Sequence, residues 1–327
     1  MENISEKFTV SQSKLMPQGL DMWTLTGAGH EARILPELGF NLYYWTFQGK
    51  EMLMEHAGLT NLDDCDYGIP LLFPTPNRVR NAVYTWRGKR YKQQKRGREV
   101  HSHGLVRDEA FTVRCWADDD AAYAEGTIHI NPTSPLYEAY PFPCRLVITY
   151  ALSADGLRLY VQVDNTGQDD LPFGFAIHPY FSKRGDAGNV FITMPLTRIY
   201  ENDRELLPSG NILDVSGTNL DISDCLHSVG SLDLDNVYCG MTQDHCATVV
   251  YPGSARLTLR GGDAFRQLIV FTPKTRNGFC IEHQTCSTDA LNLHARGLVT
   301  EAGLLVLPAG QSWCSWIGLT VEALACV

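Results

Sequence analysis

The sequence lacks several features that would each assign it to a functional class. No apolar run reaches the ~20 residues that a transmembrane helix needs. The ten cysteines form no Cys-x-x-Cys pair and have no zinc-finger spacing to histidine. A net charge of −10 gives no reason to expect nucleic acid or a membrane as partner. The N-terminal MENISEKFTV lacks the plan of a signal peptide, so we expect a cytoplasmic protein with reduced, mostly buried thiols.

Helical periodicity is almost missing as well. It appears only at Asp289–Ala295 and Glu322–Ala325, where we predict short helices. Between residues 157 and 163, leucine and valine alternate with polar residues, which is typical of a half-buried strand. Runs of this kind predict strands at Met22–Thr26, Asn41–Phe47, Phe111–Trp116, Thr127–Ile130, Leu146–Leu152, Leu157–Val163, Val190–Met194, Thr248–Tyr251, Arg256–Leu259, Leu268–Thr272, Phe279–Glu282, Leu304–Leu307 and Trp313–Val321.

Many strands with very little helix predict an all-β fold, a large antiparallel β-sandwich with few short helices. The chain shows no internal repeat, no low-complexity tract and no break in composition. We therefore expect one domain over residues 1–327.

The segment Phe173–Phe181, FGFAIHPYF, contains a histidine between a strand-like run and a proline. Proline has no N–H to donate, so it marks the end or the edge of a strand ladder. His178 is then placed at a strand end, facing a cleft. A core histidine satisfied by its neighbours is the alternative interpretation.

Two further segments contain polar residues where the backbone is expected to be rigid or to turn sharply. Residues 68–78, GIPLLFPTPNR, have three prolines that would hold Asn77 and Arg78 in a fixed direction, although a rigid surface loop explains them equally. In HSHG, residues 101–104, the glycine permits a sharp turn. His-x-His is able to bind metal on one strand face, but no third ligand is indicated nearby, so we predict no metal site.

Residues 87–98, RGKRYKQQKRGR, hold seven basic residues and no acid. They indicate either an anion site, such as one for a sugar phosphate, or a solvated hairpin at residues 84–91 followed by a charged loop. Two carboxylates also stand out. Asp235 precedes an apolar strand, where a turn-capping aspartate is the alternative interpretation, whereas Glu282 ends a strand and is a general-base candidate.

In chain order, these segments resemble the aldose 1-epimerase (mutarotase) family, whose fold is galactose mutarotase-like. The resemblance rests on PLLFPTPNRV, W-x-G-x-x-Y, HSHGLVRD, NTG from residue 165, FGFAIHPYF, LLPSGNILDVSGT, LDNVY and FCIEHQT, from about residue 32 to the C-terminus. It implies an antiparallel β-sandwich that binds a small-molecule sugar in an open cleft and needs neither a metal nor an organic cofactor. No partner protein or oligomeric state is indicated.

The resemblance also assigns residues. Its two histidines fall on His103 and His178, its catalytic glutamate on Glu282, its sugar-binding arginine on Arg78 and its sugar-binding aspartate on Asp235. We expect Asn77 and Arg107, which lie beside these motifs, to line the same site.

The chain departs from the family in three places. Many members read Pro-Trp or Pro-Gln after the glutamate, where this chain has His283 and Gln284, and tryptophan is frequent at the position of Thr75. The basic run is heavy for a binder of neutral sugars. The sequence thus favours a hexose 1-epimerase, with three alternatives: a hexose 6-phosphate epimerase, a non-catalytic sugar-binding protein and a glycoside hydrolase.

Overall fold

Alternating side chains build the largest sheet. In β14 (Gly156–Asn165) of the computed structural model, which describes residues 7–54 and 66–325, leucine and valine are buried and Arg158 and Tyr160 are exposed. This strand lies in the middle of a nine-stranded sheet of order β11-β12-β13-β14-β28-β24-β23-β18-β21. Its other strands are β11 (Thr112–Ala117), β12 (Ala121–Ile130), β13 (Cys144–Ser153), β18 (Phe191–Thr193), β21 (His227–Ser228), β23 (Ala247–Tyr251), β24 (Ala255–Gly261) and β28 (Ser312–Ala323).

A second sheet of eight strands carries the chemistry described below. Its order is β20-β19-β22-β25-β26-β16-β6, and its eighth strand, β17, also pairs with β26. The strands are β6 (Leu71–Leu72), β16 (Ala176–Ile177), β17 (Tyr180–Ser182), β19 (Arg198–Asn202), β20 (Pro208–Asp214), β22 (Asp235–Cys239), β25 (Gln267–Phe271) and β26 (Gly278–Gln284).

The remaining strands form a five-stranded N-terminal sheet and three two-stranded ribbons. The N-terminal sheet contains β1 (Thr9–Leu15), β2 (Leu20–Gly27), β3 (His30–Leu35), β4 (Asn41–Phe47) and β5 (Lys50–Glu51), and the ribbons pair β7 (Val83–Trp86) with β8 (Lys89–Lys92), β9 (Gln94–Lys95) with β10 (Arg98–Glu99), and β15 (Leu171–Phe173) with β27 (Leu305–Leu307). Every strand pairing of the described residues is antiparallel.

The two large sheets pack face to face. Leu159 and Val161 of the nine-stranded sheet and Val270 and Ile281 of the eight-stranded sheet belong to one buried apolar cluster. This arrangement confirms the all-β sandwich, since side chains from two inner faces fill one core. All thirteen strands predicted from the sequence overlap observed strands.

Within residues 7–54 and 66–325, helix is confined to α1 (Ala290–Ala295), α2 (Val299–Ala302) and three 3₁₀ turns at Arg80–Ala82, Ala187–Asn189 and Val229–Ser231. The helix predicted near Asp289 is confirmed as α1. The helix predicted at Glu322–Ala325 is wrong, because β28 continues to Ala323 and pairs Glu322 with Arg256 of β24. None of the helices in the described ranges is long and apolar enough to cross a bilayer.

Candidate active site

The outer face of the eight-stranded sheet carries two of the predicted residues. Register places Glu282 of β26 opposite Ile269 of β25, and Phe271 of β25 opposite Asp235 of β22. Side chains alternate across a strand, and Ile281 points into the core. Its neighbours in β26, Cys280 and Glu282, therefore face the opposite side of the sheet. The sheet therefore brings Glu282 and Asp235 to one surface.

His178 lies in the break between β16 and β17. Its backbone N–H donates to the carbonyl of Pro70 (3.0 Å), and the N–H of Tyr180 donates to that of Gly68 (2.9 Å). Pro179 has no N–H to continue the ladder, as the sequence indicates. The imidazole therefore sits at a strand end fixed by backbone hydrogen bonds on both sides of the proline.

Asn77, Arg78 and His103 come from two neighbouring segments that hold each other in place. The N–H of His103 donates to the carbonyl of Asn77 (2.7 Å), and Arg78 forms a β-bridge with Ser102. Asn77 and His103 both have left-handed backbones, with φ of 56° and 63°. These unusual conformations at two polar residues direct both side chains towards the same cleft.

The cleft formed by these elements has a volume of about 180 Å³. Two larger grooves, of about 500 and 290 Å³, have neither a histidine nor a buried carboxylate in their walls. The smaller cleft alone of these three gathers titratable groups of both kinds. It is lined by Asp66, Asn77, Arg78, His103, His178, Tyr180, Asp235, Ile269, Phe271, Arg276 and Glu282.

Glu282 and His178 are in direct contact on the cleft floor. Nε2 of His178 lies 3.2 Å from Oε1 of Glu282, and the Gln284 amide donates to Oε2 at 3.2 Å. The ring of His103 meets that of His178 edge to face, with centroids 5.1 Å apart. The ring of Tyr180 stacks on the ring of His178, with centroids 4.7 Å apart. The imidazole thus contacts two rings and one carboxyl group.

Burial favours the neutral form of each member of this pair. It raises the pKa of Glu282 well above its ordinary value, an effect that the Gln284 hydrogen bond opposes and the charge of Asp235 reinforces. Burial also lowers the pKa of His178 to about 4, and it lowers the pKa of His103, helped by the charges of His178 and Arg107. These shifts favour a carboxyl group that holds the proton and a neutral imidazole 3.2 Å away, so a proton can pass from Glu282 to His178 within the pair.

A second polar group lies on the cleft wall. Nη2 of Arg78 is 3.9 Å from Oδ2 of Asp235, and its Nη1 donates to Oδ1 of Asn77 at 3.2 Å. Burial raises the pKa of Asp235, while Arg78 acts to lower it. The three side chains offer donors and acceptors side by side, which suits the hydroxyl groups of a sugar.

Sequence reasoning missed part of the cleft. Arg276 forms an ion pair with Asp66 at 2.7 Å, and the hydroxyl of Tyr180 donates to Asp66 at 3.0 Å. Tyr180 lies inside the FGFAIHPYF segment, and its position next to His178 was the available signal. Asp66 and Arg276 lie in loops without a recognisable motif, and only the tertiary structure brings them to the cleft.

Arg107 and the basic run lie outside the cleft lining. The charge of Arg107 lowers the pKa values of both His103 and His178, so it acts on the site without being part of its wall. The predicted hairpin at residues 84–91 is confirmed by β7 and β8. No residue of 87–98 lines the cleft, and the run has acidic partners elsewhere: Arg87 pairs with Asp170, and Lys95 and Arg96 pair with Glu109.

The His-x-His segment does not form a metal site in the described part of the chain. His101 is 57% exposed and lies 3.2 Å from Glu99, whereas His103 lines the cleft. Neither belongs to a group of side chains close enough to share an ion. The eight described cysteines are free thiols, and four of them are buried; Cys65 and Cys326 lie outside the described residues.

Comparison with known proteins decides the family. The profile of aldose 1-epimerases matches residues 21–320. The chain belongs to the aldose 1-epimerase family. The family is one of isomerases that act on sugars, and its match covers every residue of the cleft.

Individual relatives of this aldose 1-epimerase family member are distant. The uncharacterised protein YihR of Escherichia coli is 22% identical over 84% of this chain and 88% of its own length. The galactose mutarotase of Sus scrofa is 25% identical, but the match spans only 55% of each chain. A galactose mutarotase-like protein from Clostridium acetobutylicum has a TM-score of 0.85 and 19% identity, covering 97% of this chain and 99% of that one, and so shares the fold.

Proposed function

We propose that this protein is an aldose 1-epimerase that interconverts the α and β anomers of a hexose. The observation that carries the proposal is the contact between Glu282 and His178 at the floor of an open cleft, 3.2 Å apart. Family membership supports the reaction class. A protein that only binds sugar has no need of a buried acid–base pair, so the contact favours the enzyme over a non-catalytic binder.

The proposed reaction opens and recloses the sugar ring. The proton that the pair holds first passes from Glu282 to His178. Glu282 then removes the proton of the C1 hydroxyl while His178 gives a proton to the ring oxygen, and the bond from C1 to the ring oxygen breaks. The open-chain aldehyde rotates about its C1–C2 bond. The roles then reverse: Glu282 returns a proton to O1, and His178 takes back the proton of the C5 hydroxyl as the ring closes. No proton is gained or lost over the cycle, in which each positioned group typically contributes ~10²–10⁴-fold.

The other cleft residues hold the sugar in place. His103, next to His178, donates a hydrogen bond to the C1 or the ring oxygen and stabilises charge that develops there. Arg78, Asn77 and Asp235 bind the hydroxyl groups away from C1 and fix the ring over the acid–base pair. Arg107 acts through the electrostatic effect of its charge on the two histidines rather than through a contact with the sugar.

A hexose 6-phosphate is the second candidate substrate, and one observation favours it. Arg276 is a second arginine in the cleft lining, in addition to Arg78, and arginine is suited to phosphate. Asp66 already pairs with Arg276, which weighs against it. This support differs from the sequence argument, because the basic run 87–98 does not line the cleft.

A cytoplasmic location completes the proposal. Free thiols at all eight described cysteines are typical of a reducing compartment.

Polarimetry on freshly dissolved pure anomers tests the proposed activity. We expect the protein to accelerate mutarotation of α-glucose or α-galactose, and acceleration of α-glucose 6-phosphate alone would select the second candidate. Glu282→Gln should lower kcat at least ~10²-fold in a folded protein, since it removes the base. Near-normal turnover by folded Glu282→Gln contradicts the assignment of Glu282, and no acceleration of any sugar contradicts the activity.

A further inference from the structure

A thiol lies directly behind the acid–base pair. Cys280 and Glu282 are two residues apart in β26 and share its outer face. Tyr180, whose ring stacks on His178, is the register partner of Cys280 in β17. One ligand atom each of His178, Cys280 and Glu282 lies within 4.8 Å of the other two. All three residues are buried, and two of them reach the cleft.

These three atoms form the ligand set of a particular kind of ion. An imidazole nitrogen, a thiolate sulfur and a carboxylate oxygen together suit Zn²⁺, with bonds of roughly 2.0–2.3 Å. Mg²⁺ and Ca²⁺ prefer oxygen ligands and have no use for the thiol. Three protein ligands leave a fourth position of the tetrahedron for water from the cleft.

The charges around the triad are already paired. Arg78 lies beside Asp235, and Arg276 beside Asp66, so each cleft arginine has an acid of its own. The carboxyl of Glu282 has the neutral partners Gln284 and His178. An arriving cation therefore meets a carboxyl group that forms an ion pair with neither cleft arginine, although the charge of Arg78 acts on it from a distance.

We propose that His178, Cys280 and Glu282 bind Zn²⁺ as an inhibitory ion. Binding forms bonds from the metal to a nitrogen, a sulfur and an oxygen, and it releases the thiol proton and any proton held by Glu282. No electrons are transferred. The ion occupies the carboxylate oxygen and the imidazole lone pair that the acid–base reaction needs, so turnover stops while the fold remains intact.

The chain supplies a matched control. Asp224, Cys225 and His227 form a second cluster of the same ligand types at the protein surface, far from the pair in sequence and absent from the cleft lining. Cys225→Ser removes a thiol from that cluster as Cys280→Ser does from the first. Zinc bound at the surface would not block the cleft.

The experiment measures metal binding and inhibition separately. Co²⁺ is titrated into chelator-treated wild type, Cys280→Ser and Cys225→Ser, and the near-ultraviolet thiolate-to-cobalt absorption is recorded. Zn²⁺ is then titrated into the same proteins. Calorimetry measures its binding, and polarimetry measures the ratio of the inhibited to the uninhibited rate. We expect wild type and Cys225→Ser to be inhibited reversibly by Zn²⁺, and Cys280→Ser to lose at least ~10-fold in affinity for the inhibitory ion, because it lacks a direct ligand. Near-ultraviolet circular dichroism checks that each variant is folded, and Cys280→Ala serves as a second variant.

Two results would overturn the inference: a cobalt–thiolate absorption that persists in Cys280→Ser but disappears in Cys225→Ser, or zinc inhibition that is equal in all three proteins. The inhibition measurement depends on the proposed epimerase activity, whereas the cobalt absorption measurement does not. If no sugar is turned over, the absorption still decides whether the triad binds metal, so failure of one proposal is distinguishable from failure of the other.

Discussion

At the scale of single residues, the cleft separates chemistry from recognition. Glu282 and His178 contact each other on the floor, whereas Arg78 contacts Asn77 and approaches Asp235 on the wall. A residue on the wall should hold the ground state and the transition state about equally. Its loss should then be visible mainly in KM.

Arg78→Lys tests this division. The substitution keeps the positive charge but loses the planar fork of donors, so one hydrogen bond to a charged group is lost. We expect kcat/KM to fall about 10–100-fold, mostly through KM, which corresponds to about 1.5–3 kcal/mol. Saturation kinetics on the preferred sugar measures it, and Arg158→Lys, on the exposed face of the other large sheet, is the control. A fall confined to kcat contradicts a purely binding role.

His30 gives a prediction about stability that is independent of the cleft. Its ring is buried against Phe47, with centroids 4.6 Å apart, and its Nδ1 accepts a hydrogen bond from the Trp45 indole at 3.4 Å. Burial lowers the pKa of His30 below its ordinary value of 6.5, against backbone hydrogen bonds that raise it. Below pH 6.5 the unfolded chain therefore binds a proton that the native protein does not, and stability falls as the pH falls.

Replacing His30 should flatten this dependence. We expect His30→Leu to lose less of its free energy of unfolding between pH 7.5 and the acid range than wild type does, whatever its stability at pH 7.5. Urea denaturation at a series of pH values measures the slope, with His129→Leu, an exposed strand histidine, as control. Parallel curves for His30→Leu and wild type would show that His30 is not the titrating group.

The sequence alone predicted those cleft residues that lie in distinctive segments. Glu282, His178, His103, Arg78, Asn77 and Asp235 were predicted from their local segments and from the resemblance to aldose 1-epimerases, and all six line one cleft, although their roles stay predictions. Asp66 and Arg276 could not be predicted, because they lie far apart in sequence and contact each other only in the folded protein, next to Tyr180. Arg107 is part of a motif but is not in the cleft lining, and its role at the site stays a prediction.

At the scale of elements, one glycine positions His103. Gly104 has φ of +69°, and a Cβ at this residue would lie 2.4 Å from the carbonyl oxygen of Phe73, to which Leu105 N–H donates at 2.7 Å. The close approach of the two backbones fixes the segment that presents His103. Gly97, between β9 and β10, has a similar φ of +76° but has open space where its Cβ would be.

Gly104→Ala and Gly97→Ala therefore separate backbone strain from steric overlap. We expect Gly97→Ala to cost about 1 kcal/mol in unfolding free energy, from the left-handed backbone alone. Gly104→Ala should cost about 1–3 kcal/mol more, because the carbonyl of Phe73 has to move. It should also lower kcat, since a shift of about 1 Å in a catalytic group costs up to ~10²-fold. Equal effects of the two variants in denaturation and kinetics would argue against this role of Gly104.

Elements with a regular pattern were predictable and those formed by context were not. The alternation in β14 has a single interpretation, and it is correct. β6 consists of Leu71 and Leu72 between prolines, and β20 begins with proline and contains glycine, so both look like loops in the sequence. Residues 322–325 look helical in isolation, but pairing with β24 draws Glu322 and Ala323 into β28.

At the scale of the whole molecule, the N-terminal sheet and the sandwich share their core. Leu25 and Trp45 of the N-terminal sheet belong to the same buried cluster as Val270 of the eight-stranded sheet and Val321 near the end of the chain. This sharing supports the one-domain interpretation, which stays a prediction, since a sheet that buries its apolar face in a common core gains little stability alone. We propose that residues 7–54 and 66–325 unfold as one cooperative unit.

Leu25→Ala tests this cooperativity, because Leu25 is fully buried in β2, at the N-terminal end of the shared core. The lost side chain should destabilise the protein by about 2–5 kcal/mol. If the molecule is one unit, calorimetry should show a single transition that moves as a whole to lower temperature, with calorimetric and van't Hoff enthalpies equal. Leu213→Ala, at an exposed leucine of β20, should shift it little, by less than about 0.5 kcal/mol. A core that is shared transmits a local loss of stability to every element that it joins. Two transitions, of which Leu25→Ala moves only the lower one, would therefore mean that the N-terminal sheet is a separate domain despite its contacts.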